Sequence, residues 1–355
     1  MRRYRHCNGG FGSARGFSLI ELMVSIVLGL IIIAGAASIY LASKRSMTEV
    51  EQVAAVSENG RFALQLLNSA VRHVSFFGGS RPPDIRDDAS LGAVTGDCNA
   101  PADAYNTDES FFAVRATGTP GSSVSVLGCI TDALANTDVL VIKGVAPSPL
   151  YDADPDDPNA PRDGNISFPT GAWSSQESYV VSNSESGILV DGADTPRPSV
   201  AVGTEFALGV AWPYRLQIYY IRNIVGGIPT LARKVLAWDT ASGTMSIQTQ
   251  DLVQGVENIR YLFSYDSDGD GEVDTTSSLT DMPGATDLLW SQVISLQVYL
   301  LVRSDAADPD YLDEKTYNLG DISYTPTGDA RSVRRILLNS DIAMRNPRLV
   351  LRGGA

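Results

Sequence analysis

Residues 16–42 read GFSLIELMVSIVLGLIIIAGAASIYLA, and this stretch decides how the rest of the chain is organised. From Leu22 to Ala42 there are 21 consecutive residues without a charge. At about 1.5 Å of rise per residue, a helix of that length spans roughly the 30 Å of bilayer hydrocarbon. The sixteen residues before Phe17 contain Arg2, Arg3, Arg5 and Arg15 and no acid, whereas Lys44 and Arg45 follow the run. The heavier cluster keeps the N-terminus cytoplasmic and sends everything after Lys44 across the membrane. A secretory signal has a short apolar core followed by a small-residue cleavage site; here the small residue, Gly16, comes first and the core is long. Glu21 stands near the start of the run, where a carboxylate costs less than the about 2.5–3.5 kcal/mol expected at mid-depth. It either snorkels to headgroups or awaits a positive partner from another chain.

The composition narrows the function. The chain has 355 residues, 44% of them hydrophobic and 19% charged, which is enough for one large or two ordinary domains with a real core. A net charge of −14 argues against general nucleic-acid binding, because the phosphate backbone would repel such a surface. Two histidines leave little room for histidine-based catalysis or a multi-histidine metal site.

Gly16-Phe17-Ser18-Leu19-Ile20-Glu21-Leu22, followed by Met23-Val24-Ser25-Ile26, resembles the class III signal of type IV prepilins and pseudopilins. The resemblance implies that a prepilin peptidase cuts between Gly16 and Phe17 and methylates the new Phe17 amine. It also implies that Glu21 is the assembly carboxylate that pairs with a neighbouring subunit's N-terminal amine. Loss of residues 1–16 would remove four arginines, leaving 23 basic against 41 acidic side chains, a net of −18. Cys98 and Cys129 would remain, an even pair in a body exposed to an oxidising periplasm. A disulfide between them closes a loop worth roughly 3–4 kcal/mol; the alternative is two free buried thiols.

Beyond the membrane run, Val53, Val56, Gly60, Ala63, Leu67, Ala70, Val74 and Phe77 recur at three and four residues, opposite Glu51, Glu58, Gln65 and Arg72. That pattern is an amphipathic helix lying on a core. With no proline between Phe17 and Phe77, one helix of about 90 Å ending at Gly78-Gly79 is expected. His73 falls beside the stripe as a solvated or core-edge residue. Short β-rich runs follow at 111–116, 124–130 and 138–145. Period-two alternation at 215–222 and 293–303 suits an antiparallel sheet with one buried face. Residues 147–164, rich in proline and aspartate, read as an exposed loop.

Asp266-Ser267-Asp268-Gly269-Asp270-Gly271-Glu272-Val273-Asp274 follows the strand-like run 259–265. Alternating aspartates turn oxygens toward one centre, Gly271 permits a sharp turn, and Glu272 can offer its carbonyl. Such hard ligands suit Ca²⁺. The twelfth position is Ser277 rather than glutamate, so the segment is an EF-like loop in a β setting, with Asp274 completing the shell. The other reading is a solvated acidic turn.

Residues 252–261, 290–298 and 301–304, with Arg334-Arg335 and Met344-Arg345-Asn346, are similar to the C-terminal half of PilW-type minor pilins. Together the resemblances imply an α+β, type IV pilin-like fold. A long N-terminal helix, transmembrane in its first half, would pack on an antiparallel β-sheet head with an enlarged helix-to-sheet insertion. The expected divisions are a leader at 1–16, an assembly helix at 17–42, an amphipathic continuation at 43–78 and a variable loop or β subdomain at 79–205. The sheet with its acidic loop follows at 206–346, and a tail at 347–355. The implied protein is a non-enzymatic minor pilin of the bacterial inner membrane, with its head in the periplasm and later on the pilus or cell surface. Its partners would be other minor and major pilins, the prepilin peptidase, the pilus assembly platform and membrane lipid. A type II secretion pseudopilin and a calcium-dependent adhesive tip subunit share much of this logic.

Overall fold

The computed structural model describes residues 16–282 and 290–344. The chain divides into two compact units, Met1–Gln52 and Val53–Ala355. Helix α1 spans Leu19–Arg72, 54 residues. Its part within the first unit exposes almost every side chain, including Leu19, Ile20, Ile31, Ile32 and Ile33, and it is the one described helix apolar and long enough to cross a membrane. A run that is hydrophobic all round, with no protein against it, is what lipid solvates.

Within the second unit, α1 changes character. Val56, Gly60, Ala63, Leu67 and Val71 are buried, the three- and four-residue spacing of a single face. The stripe drifts from Ala70 to Val71 at its end, and Val53 is 42% exposed. A Cβ at Gly60 would collide with the Leu338 side chain, so the glycine lets the helix lie close to the sheet. The helix stops at Arg72, not at Gly78-Gly79. His73 and Val74 make tight turns back to Ala70 and Val71, and Ser75 takes a φ of 56°. Its N–H then donates to the Lys143 carbonyl, and the Phe76 carbonyl accepts from Val145. Backbone pairing to a strand pulls the chain out of the helix before the glycines are reached.

Sixteen strands follow in the described residues. The first seven are β1 (Ile85–Asp87), β2 (Phe111–Arg115), β3 (Ser123–Val126), β4 (Ile130–Leu134), β5 (Asp138–Val145), β6 (Ser178–Ser182) and β7 (Gly187–Asp191). Next come β8 (Val210–Arg222), β9 (Thr230–Asp239), β10 (Thr244–Gln254), β11 (Val256–Tyr265) and β12 (Thr275–Ser278). The last are β13 (Val293–Arg303), β14 (Tyr317–Asn318), β15 (Ser323–Tyr324) and β16 (Arg335–Ala343). β1–β10 form one sheet, β12-β11-β13-β16 a second, and β14-β15 a small hairpin. All pairs are antiparallel except β1 with β7. The chain is therefore one long N-terminal apolar helix followed by a largely β-sheet domain, an α+β arrangement.

Two expectations need correction. Residues 79–205 are not a separate insertion, because β4, β5 and β6 all pair with β8 and build the large sheet. The run 124–130 is not one strand but the β3–β4 hairpin, turning at Leu127 and Gly128, both at positive φ. Two consecutive positive φ values are uncommon for a pair that begins with leucine, and Leu-Gly does not advertise a tight turn as Asn-Gly would. The two sheets share a core in which Trp290 stands edge-on to Phe263 and Phe111, at 5.1 and 5.9 Å.

Lys143 lies on the wholly buried β5 and is itself fully buried. Its Nζ donates to the carbonyls of Pro101 and Asn106 at 2.8 and 2.7 Å. Burial pulls the ammonium down from its ordinary 10.5 to about 8, against the nearby Asp103 and Glu109. Between those two values the unfolded chain holds the proton that the folded chain has released, so stability rises with pH across that window. The melting temperature should climb from pH 8 to about pH 9.5, and Lys143→Met should flatten the climb. Above about pH 10 the slope reverses, because burial raises Tyr214, Tyr220 and Tyr261 and the unfolded phenols ionise first. A flat wild-type profile would contradict this reading.

Candidate assembly terminus and acidic loop

Ser18 opens α1. Its carbonyl accepts the first helical bond from Leu22, and its N–H donates to Glu21 Oε2 at 3.2 Å. Ser-x-x-Glu with the glutamate reaching back is half of a capping box, so within a single chain the Glu21 carboxylate already meets the positive end of its own helix. The Ser25 hydroxyl donates to the Glu21 carbonyl at 2.7 Å. Phe17 is 83% exposed. A Cβ at Gly16 would meet nothing within 4 Å, and neither would one at Gly29 or Gly35. Their smallness is not demanded by packing within the described residues. Residues 1–15 of the expected leader lie outside them.

The acidic segment is the loop of the β11–β12 hairpin, entered from Tyr265 and left at Thr275, which pair directly. Asp266 is 1% exposed. Its two oxygens accept the N–H groups of Gly269 and Gly271 at 2.6 and 2.7 Å, and both glycines sit at positive φ, near 84° and 88°. The loop thus wraps around one buried carboxylate. Asp274 accepts from the Ser267 N–H and hydroxyl at 2.7 and 2.6 Å, which hold its carboxyl below the usual range.

One oxygen from each of Asp266, Asp268 and Asp274 lies within 4.8 Å of the others. Ligands 2.3–2.6 Å from Ca²⁺ are at most about 4.6–5.2 Å apart, so this trio has the right spacing for a hard cation. Asp270 and Glu272 are exposed and stand outside the trio, and the Asp270 carboxylate accepts the Glu272 N–H at 2.7 Å instead. Sequence reasoning missed Ser267, whose donation orients Asp274; only its place beside alternating aspartates hinted at it.

Cys98 and Cys129 are joined in a disulfide with Cα atoms 4.6 Å apart. It ties the β3–β4 turn to the segment before β2, and the Asn99 N–H adds a bond to the Leu127 carbonyl at 2.8 Å. His73 is exposed at the end of α1, with Nδ1 2.8 Å from the Ser69 carbonyl. The 147–164 loop is organised by Asp152, which accepts from the N–H groups of Asp163, Gly164 and Asn165, each at 3.2 Å.

Residues 12–37 match the family model described as the prokaryotic N-terminal methylation motif. Residues 218–346 match that of the type IV pilus-assembly protein W family, PilW, from the middle of β8 past the end of β16. No curated protein and no solved structure matches the chain. Arg345 and Asn346, which close the second match, lie outside the described residues. Through these two segments the chain carries a prokaryotic N-terminal methylation motif and a PilW-type region, which together support a role tied to type IV pili.

Proposed function

We propose that this protein is a minor pilin, a structural rather than catalytic subunit that helps prime or extend a type IV pilus. It would do so at the bacterial inner membrane, with its head in the periplasm. Peptidase cleavage before Phe17 would release the residue for methylation, and Glu21 would then pair with the amine of a neighbouring pilin on the assembly platform. The observation that carries this reading is the co-occurrence of Gly16, Phe17 and Glu21 with a helix whose apolar first half is almost wholly exposed, ahead in sequence of a PilW-type region. Gly29 and Gly35 support it, since a bare helix surface admits a neighbouring helix at close range. The exact pilin-like fold belongs to the same proposal. Deleting the gene should remove surface pili and twitching while leaving exoprotein secretion intact. Loss of secretion with normal pili would instead indicate a pseudopilin.

The acidic loop would take Ca²⁺ on Asp266, Asp268 and Asp274, where the cation would offset three carboxylates gathered within 4.8 Å. A cation at a hundredfold excess over its Kd stabilises the folded head by about 2.7 kcal/mol. Calcium should therefore raise the melting temperature by several degrees. Asp268→Ala with Asp274→Ala should abolish the gain, and Asp270→Ala should keep most of it. A melt indifferent to calcium and chelator alike retires the site.

A further inference from the structure

A recess of about 250 Å³ opens beside the end of α1, over β5, β8 and β9. Ser69 of α1, His73 just past its end, Arg215, Gln217 and Tyr219 of β8, and Arg233 of β9 form its polar lining. Among the described residues no aspartate or glutamate lines it. In a chain with 41 acidic and 27 basic side chains, a wall with two arginines, a histidine and no acid reverses the prevailing charge.

Strand geometry builds this wall. Side chains two apart share a face, so Arg215, Gln217 and Tyr219 leave β8 on one side and Leu216, Ile218 and Tyr220 on the other, with Tyr219 itself buried in the core cluster. Arg233 stands directly opposite Tyr219 in the β8–β9 register and joins the same face.

The arginines are only partly satisfied, although Arg233 also interacts with the Tyr219 hydroxyl. Arg233 Nη2 donates to Gln250 Oε1 at 2.6 Å, but its Nε is buried and makes no hydrogen bond. Arg215 reaches Glu177 only at 3.4 Å and the Tyr214 carbonyl at 3.2 Å. A carbonyl can only accept, so the His73 Nδ1 beside Ser69 carries a proton and Nε2 is left for another partner. A buried N–H of a cation without an acceptor is costly, and the planar guanidinium fork matches a carboxylate or phosphate.

We infer that this recess binds a single oxyanion group, carboxylate or phosphate, on Arg233 and Arg215 with His73 beside it. The site owes nothing to the exposed first half of α1 or to the acidic loop, and it stands whether or not the chain enters a filament. His73 provides its own reporter, because the chain has only two histidines and His6 serves as the reference. The full chain, labelled with ¹³C-histidine and held in detergent at constant pH and ionic strength, is titrated with inorganic phosphate and, separately, with acetate against chloride.

The expected result is a saturable shift of the His73 resonance with at least one of the two anions. Arg233→Gln should weaken that response at least tenfold, and Arg215→Gln several-fold, with unchanged melting temperatures showing that both variants fold. Saturation by acetate at the lower concentration would assign the site to a protein carboxylate, and by phosphate to a phosphorylated ligand. A linear drift with both anions, or equal half-saturation in Arg233→Gln, overturns the inference.

Discussion

A chain carrying Glu21→Ala should be cut before Phe17 and accumulate in the membrane, yet restore no surface pili to the deletion strain. The physical reason is a charge without a partner. In the single chain Glu21 caps its own helix through Ser18, and loss of that cap costs about 0.5–2 kcal/mol, too little to unfold a long helix in lipid. In the proposed assembly the same carboxylate meets a neighbour's amine in a dry environment. Removing one member of such a buried pair costs about 3–5 kcal/mol, roughly two to three and a half orders of magnitude in an association constant. Glu21→Gln separates the two roles, because it preserves hydrogen bonding to Ser18 but not the charge. It too should fail to give pili, as counted by electron microscopy of sheared filaments. Normal piliation by either variant would refute the assembly role of Glu21.

The second large effect is on the head. Asp138 is fully buried at the start of β5 and accepts from Arg115 Nε at 2.8 Å and from the Tyr261 N–H at 3.0 Å. Arg260 Nη1 lies 3.5 Å away. Asp321, in the β14–β15 turn, faces both arginines at 2.8 and 3.6 Å. Two arginines and two aspartates balance, and together they link the large sheet, the second sheet and the small hairpin. Asp138→Ala would leave Arg260, only 4% exposed, beside a single carboxylate. We expect a loss of about 3–5 kcal/mol, followed by urea unfolding monitored through the tryptophans, all four of which lie in the head. A loss under about 1 kcal/mol, the range of an exposed pair, would show that the cluster does not hold the sheets together.

How legible these features were depended on how far apart their residues lie in sequence. The apolar helix and the β13 alternation could be read locally, because each repeats one period over many residues. The end of α1 could not, since Ser75 leaves the helix to reach Lys143, a partner 68 positions downstream. The β9–β10 ribbon escaped notice because Ala232, Lys234 and Leu236 alternate only loosely with their neighbours. In the acidic loop the aspartate spacing singled out the segment in which three carboxylates converge. Which carboxylates converge was decided by the Ser267, Gly269 and Gly271 N–H groups, which the spacing does not encode. Asp138 and Arg260 are 122 positions apart, and nothing in either neighbourhood marks them as partners. Of the recess arginines only Arg215 was legible, as a residue of an alternating strand; Arg233 lies on the unread β9, and only the fold brings the two to one wall beside the end of α1.

The central claim is that a leader is removed to expose an assembly-competent N-terminus, and intact-mass analysis of the protein from its native host tests it most directly. The account predicts a chain that begins at Phe17 and carries one added methyl group. A mass that retains residues 1–16, or that begins at any other residue, would contradict it.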